Sequence, residues 1–200
     1  MLIVVTDASM RDDEAEIINA LFGEGLELLH LRKPSSSTAD IRQLLTSIKA
    51  QYYGQISLHQ RHKIAEEFGI KRLHFREEKR EKAASDELRS LKAQGFTLST
   101  SIHRMREAKN VASYFEYAMY GPLFNSISKE GYTPTEVLQE FSLPENGRKI
   151  VGIGGIDETN IAKVFGKGFA GAAILGAVWK DEDPLIRFKQ IRAACSSIAP

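Results

Sequence analysis

The sequence predicts a closed (β/α)8 barrel, and three observations carry that reading. Short apolar runs recur every few tens of residues, a charged or amphipathic stretch follows each, and there are eight such units. Alternation of this kind means α/β with a parallel sheet, because parallel strands need crossover connections. Eight units favour closure, although 200 residues is short for a barrel. A doubly wound open sheet is the alternative. No Pro/Ser-rich linker or shift in composition divides the chain, so residues 1–200 read as one domain.

The elements follow in order. LIVV (2–5) is a continuous apolar run, as expected of a strand covered on both faces, and precedes a helical pattern over Glu14–Phe22. LELLHL (26–31) precedes Thr38–Ala50, and ISL (56–58) precedes the short Lys63–Phe68. RLHF (72–75) leads to Ser85–Gln94, FTLS (96–99) to Arg104–Ala112, and YAMY (117–120) to Thr135–Glu140. KIVGI (149–153) leads to Glu158–Phe165, and GAAIL (171–175) to Pro184–Ala194. Asp157 stands as an N-cap before Glu158, and Asp183 with Pro184 forms an N-cap/N1 pair. Gly95, Gly166 and Gly168 fall where helices should stop and a positive φ is needed.

Composition narrows the class of function. The chain is 42% apolar and 26% charged, with Lys+Arg 27 against Asp+Glu 26. So balanced a charge argues against an electrostatic nucleic-acid or membrane partner. Cys195 is the single cysteine, which leaves no internal disulfide and suits a reducing compartment. No apolar run approaches the roughly 20 residues that span a bilayer, and the start MLIVVTDASMRDD lacks a basic signal-peptide region. The expectation is a soluble, cytoplasmic protein, with a homodimer as the default oligomer.

In such barrels chemistry sits where strands end. Those positions here hold His30 and Arg32, His59 and Gln60, His74, and Ser101 with His103 in the stretch STSIHRM. A single strand-end histidine usually only caps a strand or satisfies a backbone carbonyl, but for four at one rim that reading is no longer favoured. Their spacing matches no metal motif and carboxylates are sparse among them, which disfavours a metal site.

VGIGGIDETN (151–160) places Gly154 and Gly155 at the seventh strand end, and GAAILGAVW (171–179) places Gly176 and Ala177 at the eighth. Two neighbouring glycine turns before helices suit a phosphate, since a Cβ would hold the anion away from the amides. The long loop GPLFNSISKEGYTP (121–134) offers Ser126, Ser128 and Lys129 as a polar lid with one mobile cation.

Together these segments resemble the thiamine phosphate synthase/TenI family of (β/α)8 barrels along nearly the whole chain. VVTD, HLRK, STSIHRMREA, YFEYAMYGPLFNSISK, IVGIGGIDETN and GFAGAAILGAVW carry the resemblance. It implies that Gly154, Gly155, Gly176 and Ala177 hold a thiazole phosphate. Ser126 and Ser128 stand where the family usually has threonines, ahead of the retained Lys129.

The departures from the family are informative. Its synthases use two carboxylates to hold Mg²⁺ on a pyrimidine diphosphate. Gln60 occupies the first of those places and Lys79 the second, and neither is anionic. A shift of register would bring Glu77 or Glu78 in, repairing one ligand only. Arg32 is retained after the second strand, while Lys33 and Pro34 replace the family's Glu and Lys.

The losses point to the TenI side, whose members tautomerise a carboxythiazole phosphate without a metal or other cofactor. In that reading His103 moves the proton and Ser101 positions the histidine or the ring. Arg32 faces the substrate carboxylate, with His30, His59, Gln60 and Lys129 as further substrate contacts. The small-molecule partner is then a phosphorylated thiazole. The alternatives are a Mg²⁺-dependent thiamine phosphate synthase, joining pyrimidine diphosphate and thiazole phosphate, and a non-catalytic binder of thiazole or thiamine phosphates.

Overall fold

A computed structural model describes residues 1–125, 142–145 and 147–196. Eight parallel strands close into a barrel in sequence order: β1 (Leu2–Val5), β2 (Leu28–Leu31), β3 (Ile56–Leu58), β4 (Arg72–Phe75), β5 (Thr97–Ile102), β6 (Phe115–Tyr120), β7 (Lys149–Ile153) and β8 (Gly171–Ile174). Closure is made by β1 on β8, with Ile3 opposite Ala173 and Val4 opposite Ile174. Around the barrel lie α1 (Glu14–Gly23), α2 (Thr38–Ser47), α3 (Glu77–Lys82), α4 (Ser85–Ala93), α5 (Ile161–Gly166), α6 (Gly176–Trp179) and α7 (Pro184–Ser196). None of these helices is long and apolar enough to cross a membrane.

Successive strand residues point to opposite faces, and this chain uses the two faces differently. Val4, Leu29, Leu31, Leu58, Leu73 and Leu98 face outward into one apolar layer shared with Ile18, Leu21, Ile41, Leu45 and Val164 of the helices. Inward, the barrel is divided. Ile3, Val5, Leu28, Tyr117, Met119, Val151 and Ala173 form an inner cluster. His30, Ser57, His59, His74 and Ser99 are buried polar residues from β2 to β5 and the loop after β3. His30 and His74 are wholly buried within their strands, so they belong to the barrel interior rather than to its rim loops.

Several boundaries differ from the sequence expectation. The stretch after β3 is two 3₁₀ turns, His62–Ile64 and Glu66–Phe68, bracketed by left-handed residues Arg61 (φ 58) and Gly69 (φ 65). So few residues between such bends cannot complete two α-helical turns, and the tighter 3₁₀ form serves. Met105–Asn110 is likewise 3₁₀ rather than α. The helix expected from Glu158 begins at Ile161, because the Asp157 side chain accepts from the Thr159 amide (2.9 Å) and hydroxyl (2.6 Å) in a local turn. Gly166 closes that helix without a positive φ, and Gly168 (φ 94) makes the turn after it. Asp183 does cap α7, accepting from the amides of Leu185 (3.0 Å) and Ile186 (2.9 Å). The expected helix over Thr135–Glu140 lies outside the described residues.

Candidate active site

A cavity of about 430 Å³ opens at the carboxyl ends of the strands, a size that suits a small metabolite. Val5, Met119, Ile153 and Ala173 supply its apolar floor, and Arg32, Arg76, Glu77, Glu78, Ser101 and His103 its polar wall. The loops after β7 and β8 complete it with Gly154, Gly155, Gly176 and Ala177.

His103 stands one residue beyond β5 with its side chain 56% exposed, and its Nδ1 meets Glu77 Oε2 at 2.5 Å. Glu77 comes from α3, an element the sequence reading missed. The segment EEKREK has no apolar periodicity, but its acids stand in the first turn and its bases in the last, matching the helix dipole. Burial pushes the Glu77 carboxyl up, but hydrogen bonds with Glu107 and His103, and the charges of His103 and Arg80, hold it below its usual value. Glu107 moves the opposite way, raised by burial and by Glu77. Of the pair Glu77 is the more readily ionised, and it faces His103. With Nδ1 committed to Glu77, proton exchange with a ligand falls to Nε2.

Arg32 is held by its backbone. Its amide donates to Thr6 Oγ1 (2.9 Å), and the Thr6 hydroxyl donates to its carbonyl (3.1 Å). Burial and the neighbouring Arg76 both lower the Arg32 pKa, with Asp7 opposing them. Two guanidinium groups on one cavity wall suit an anion, because a carboxylate or phosphate between them would relieve their repulsion. Arg76, an exposed residue directly after β4, is a site candidate that the sequence reading did not single out.

The glycines at the β7 end have a steric reason beyond access for an anion. Gly154 (φ 98) and Gly155 (φ 64) lie in the left-handed region. A Cβ on Gly155 would stand 2.3 Å from the Asn125 carbonyl oxygen, and one on Gly154 2.7 Å from Pro122 Cα. The chain after β6 runs against this turn, with Leu123 N donating to Ile153 O (3.0 Å) and Phe124 N to Gly154 O (3.1 Å). At the β8 end, Gly176 and Ala177 open α6, and their amides precede the first turn's hydrogen bonds, which Val178 and Trp179 donate to the Leu175 carbonyl (3.1 Å each).

The structure brings Arg32, His59, Ser101, His103, Gly154, Gly155, Gly176 and Ala177 to one cavity. His30 is not among the lining residues. It sits a layer deeper, because a residue inside β2 points into the barrel core rather than at a ligand. Gln60 also falls outside the lining, since β3 ends at Leu58 and the chain turns away beyond His59. Ser126, Ser128 and Lys129 lie outside the described residues. Lys33, in the place of the family's Glu, is buried and outside the cavity lining, paired with Glu14 at 2.6 Å.

A Mg²⁺ site built on two carboxylates does not fit these residues. Gln60 and Lys79 stand off the cavity, and Glu77 is committed to His103, Glu107 and Arg80. Glu78 is the remaining lining carboxylate among the described residues.

A model of the family described as thiamine monophosphate synthase matches residues 2–178. The chain is 34% identical over 100 residues to a thiamine-phosphate synthase of Listeria innocua, covering 48% of this chain and 47% of that protein. It is 27% identical over 174 residues to one of Gloeobacter violaceus, covering 84% and 50%. The chain thus matches about half the length of these curated relatives. A crystal structure of a thiamine phosphate pyrophosphorylase from Bacteroides thetaiotaomicron superposes with a TM-score of 0.76 at 28% identity, over 100% of this chain and 99% of that one. With the barrel, its rim and the family match in agreement, the chain belongs to the thiamine monophosphate synthase family.

Proposed function

We propose that the protein is an enzyme of thiamine biosynthesis that tautomerises a carboxythiazole phosphate to its aromatic form without a divalent metal. The observation that carries this reading is a proton-handling pair, His103 held by Glu77, on a cavity where both places of the family's metal-binding carboxylates hold other residues. The reaction removes a proton from the carbon bearing the carboxylate and places one on the exocyclic carbon. His103 Nε2 takes the proton, and Glu77 stabilises the resulting imidazolium. Arg32 and Arg76 receive the carboxylate. The amides opening α6 and the β7 turn receive the phosphate. The thiazole ring rests on Met119, Ile153 and Ala173.

The test is turnover of carboxythiazole phosphate in metal-free buffer, followed by the absorbance of the aromatic product. The parent protein should convert it, and His103→Ala should lower kcat by about 10²–10⁴-fold. Parent-rate turnover by His103→Ala would remove His103 from the mechanism. A shift in melting temperature with ligand but no turnover would instead make the protein a binder.

The names of the curated relatives and the cavity position of Glu78 favour a second reading, a thiamine phosphate synthase. Thiamine phosphate formed from both substrates with Mg²⁺ would establish that reading over the first.

A further inference from the structure

Two arginines of the cavity wall stand apart from the protein's other guanidinium groups. Among the described residues, the Arg32 and Arg76 side chains form no ion pair and meet no hydrogen-bond acceptor. Arg11, Arg42, Arg80, Arg89 and Arg187, by contrast, each meet a carboxylate at 2.7–3.4 Å. The nearby acids are engaged elsewhere. Asp7 Oδ1 accepts from the Ser9 amide (2.9 Å) and hydroxyl (2.7 Å). Glu77 Oε2 meets His103, and its Oε1 accepts from Arg80 (3.4 Å). Glu78 lines the same cavity, and among the described residues it makes no ion pair with Arg76. Arg32 is half-buried, and a half-buried cation without a counter-charge is costly unless a ligand supplies one.

A single carboxylate is oriented by one guanidinium, and Arg32, its backbone held by Thr6, serves for that. The proposed chemistry gives the second a use. Removing a proton from the carbon beside a carboxylate leaves an electron pair that spreads onto the carboxylate oxygens. The group then carries two negative charges, as an enediolate-like dianion, and adding the second beside the first is the difficult step. Contacts that strengthen as this charge develops speed the reaction, whereas contacts already complete in the substrate do not. Other enolising sites answer the need with a divalent cation. Here Gln60 and Lys79 stand off the cavity, and Arg76 is on its wall.

We propose that Arg76 is a catalytic residue: with Arg32 it forms a site for a planar dianion, and it stabilises the second negative charge that develops on the substrate carboxylate as the neighbouring proton leaves. The proposal rests on the tautomerase reading for its substrate. The C–H bond breaks and its proton goes to His103 Nε2, while the electron pair passes into the carboxylate. The pair then returns through the ring to the exocyclic carbon, which takes the proton from the His103 imidazolium. The carboxylate is left with one charge, the ring is aromatic and His103 is neutral again, so the balance closes without an oxidant or reductant.

The placement suits this division of labour. Arg32 follows β2 directly and Arg76 follows β4, on the same rim as His103 after β5. Burial and the positive charge of Arg76 lower the Arg32 pKa, as expected of two cations facing one volume. A ligand carrying two charges relieves their repulsion more fully than one carrying a single charge, so the pair favours the charge of the transition state over that of the substrate. Arg76 is also exposed, so shortening its side chain opens no hole in the core.

The test has one arm that needs no activity. Calorimetric titration of the whole protein with oxalate, a planar dianion, and with acetate, a monoanion, should show oxalate bound the more tightly. Arg76→Ala should weaken oxalate about tenfold or more and acetate by much less. Equal oxalate affinity in parent and variant would overturn the dianion site. The second arm is turnover of carboxythiazole phosphate. Arg76→Ala should lower kcat by about 10²–10³-fold with a far smaller change in KM. Added guanidinium chloride should restore part of that kcat, and the same concentration of sodium chloride should not, which a merely structural loss would not reproduce. Parent kcat in Arg76→Ala, or a loss confined to KM, would overturn the catalytic role while leaving the tautomerase reading intact. No tautomerisation by the parent would sink that reading and the catalytic role with it, and the oxalate titration would then report on the paired arginines alone.

Discussion

At the scale of single residues, the site rests on second partners as much as on its strand-end side chains. His103 is readable in STSIHRM, but Glu77, which fixes its ring, comes from a helix with no apolar stripe to announce it. Replacing that carboxylate by an amide keeps the shape and removes the charge that favours the imidazolium. Glu77→Gln should therefore lower kcat for the proposed reaction by about 10–10²-fold with little change in KM, read from steady-state kinetics. Lys33 gives the opposite lesson. It follows Arg32 in sequence yet faces away from the cavity, fully buried against Glu14. Lys33→Met strands the Glu14 carboxylate and should cost about 3–5 kcal/mol in urea unfolding. The double substitution with Glu14→Leu should recover much of that loss, because no uncompensated charge remains.

At the scale of elements, the strands were the legible part. Their continuous apolar runs mark segments covered on both faces, and the sequence places all eight within two residues at their starts. The C-terminal extension of β5 to Ile102 was hidden because Thr100 and Ser101 are polar, and polar residues look like a loop when read locally. They belong in the strand because this half of the barrel interior is itself polar, with His74 hydrogen-bonded to Ser99 through Nδ1 and to Ser101 through Nε2. The 3₁₀ segments were misjudged for a different reason: apolar spacing marks a buried face but does not distinguish i+3 from i+4 bonding over six residues. In the sequence the glycines of the β7 turn read as access for a phosphate, whereas the structure gives them a packing reason, close approach to residues 122–125. Gly155→Ala places a Cβ on the Asn125 carbonyl at an unfavourable φ, and should destabilise by about 1–3 kcal/mol or more. Chemical denaturation reads the loss, which should come with weaker binding of the thiazole phosphate.

At the scale of the whole molecule, a barrel filled with neutral histidines carries a pH dependence. Burial lowers the pKa of His30 and His59 strongly, of His62 to about 4 and of His74 to about 3. Unfolding restores ordinary imidazoles with pKa about 6.5. Below that pH the unfolded chain binds more protons than the folded one, so stability falls with acidification. Each of these histidines contributes about 1.4 kcal/mol per pH unit between about 6.5 and its folded value, and nothing above it. The urea midpoint should stay level from pH 8 to 7 and drop steeply from pH 6 to 5. His74→Gln should flatten that drop, and a midpoint unchanged between pH 7 and 5 would contradict neutral burial.

The same division of the interior explains why the family was legible in the sequence and the reaction less so. The glycine turns and strand runs that carry the family also build the barrel, whereas the reaction depends on which carboxylates reach the cavity. Turnover of carboxythiazole phosphate in buffer stripped of divalent metal, comparing the parent protein with His103→Ala, tests this most directly. Conversion by the parent and a loss of about 10²–10⁴-fold in the variant are predicted. An untouched thiazole, with thiamine phosphate formed once Mg²⁺ and the pyrimidine diphosphate are added, would contradict it.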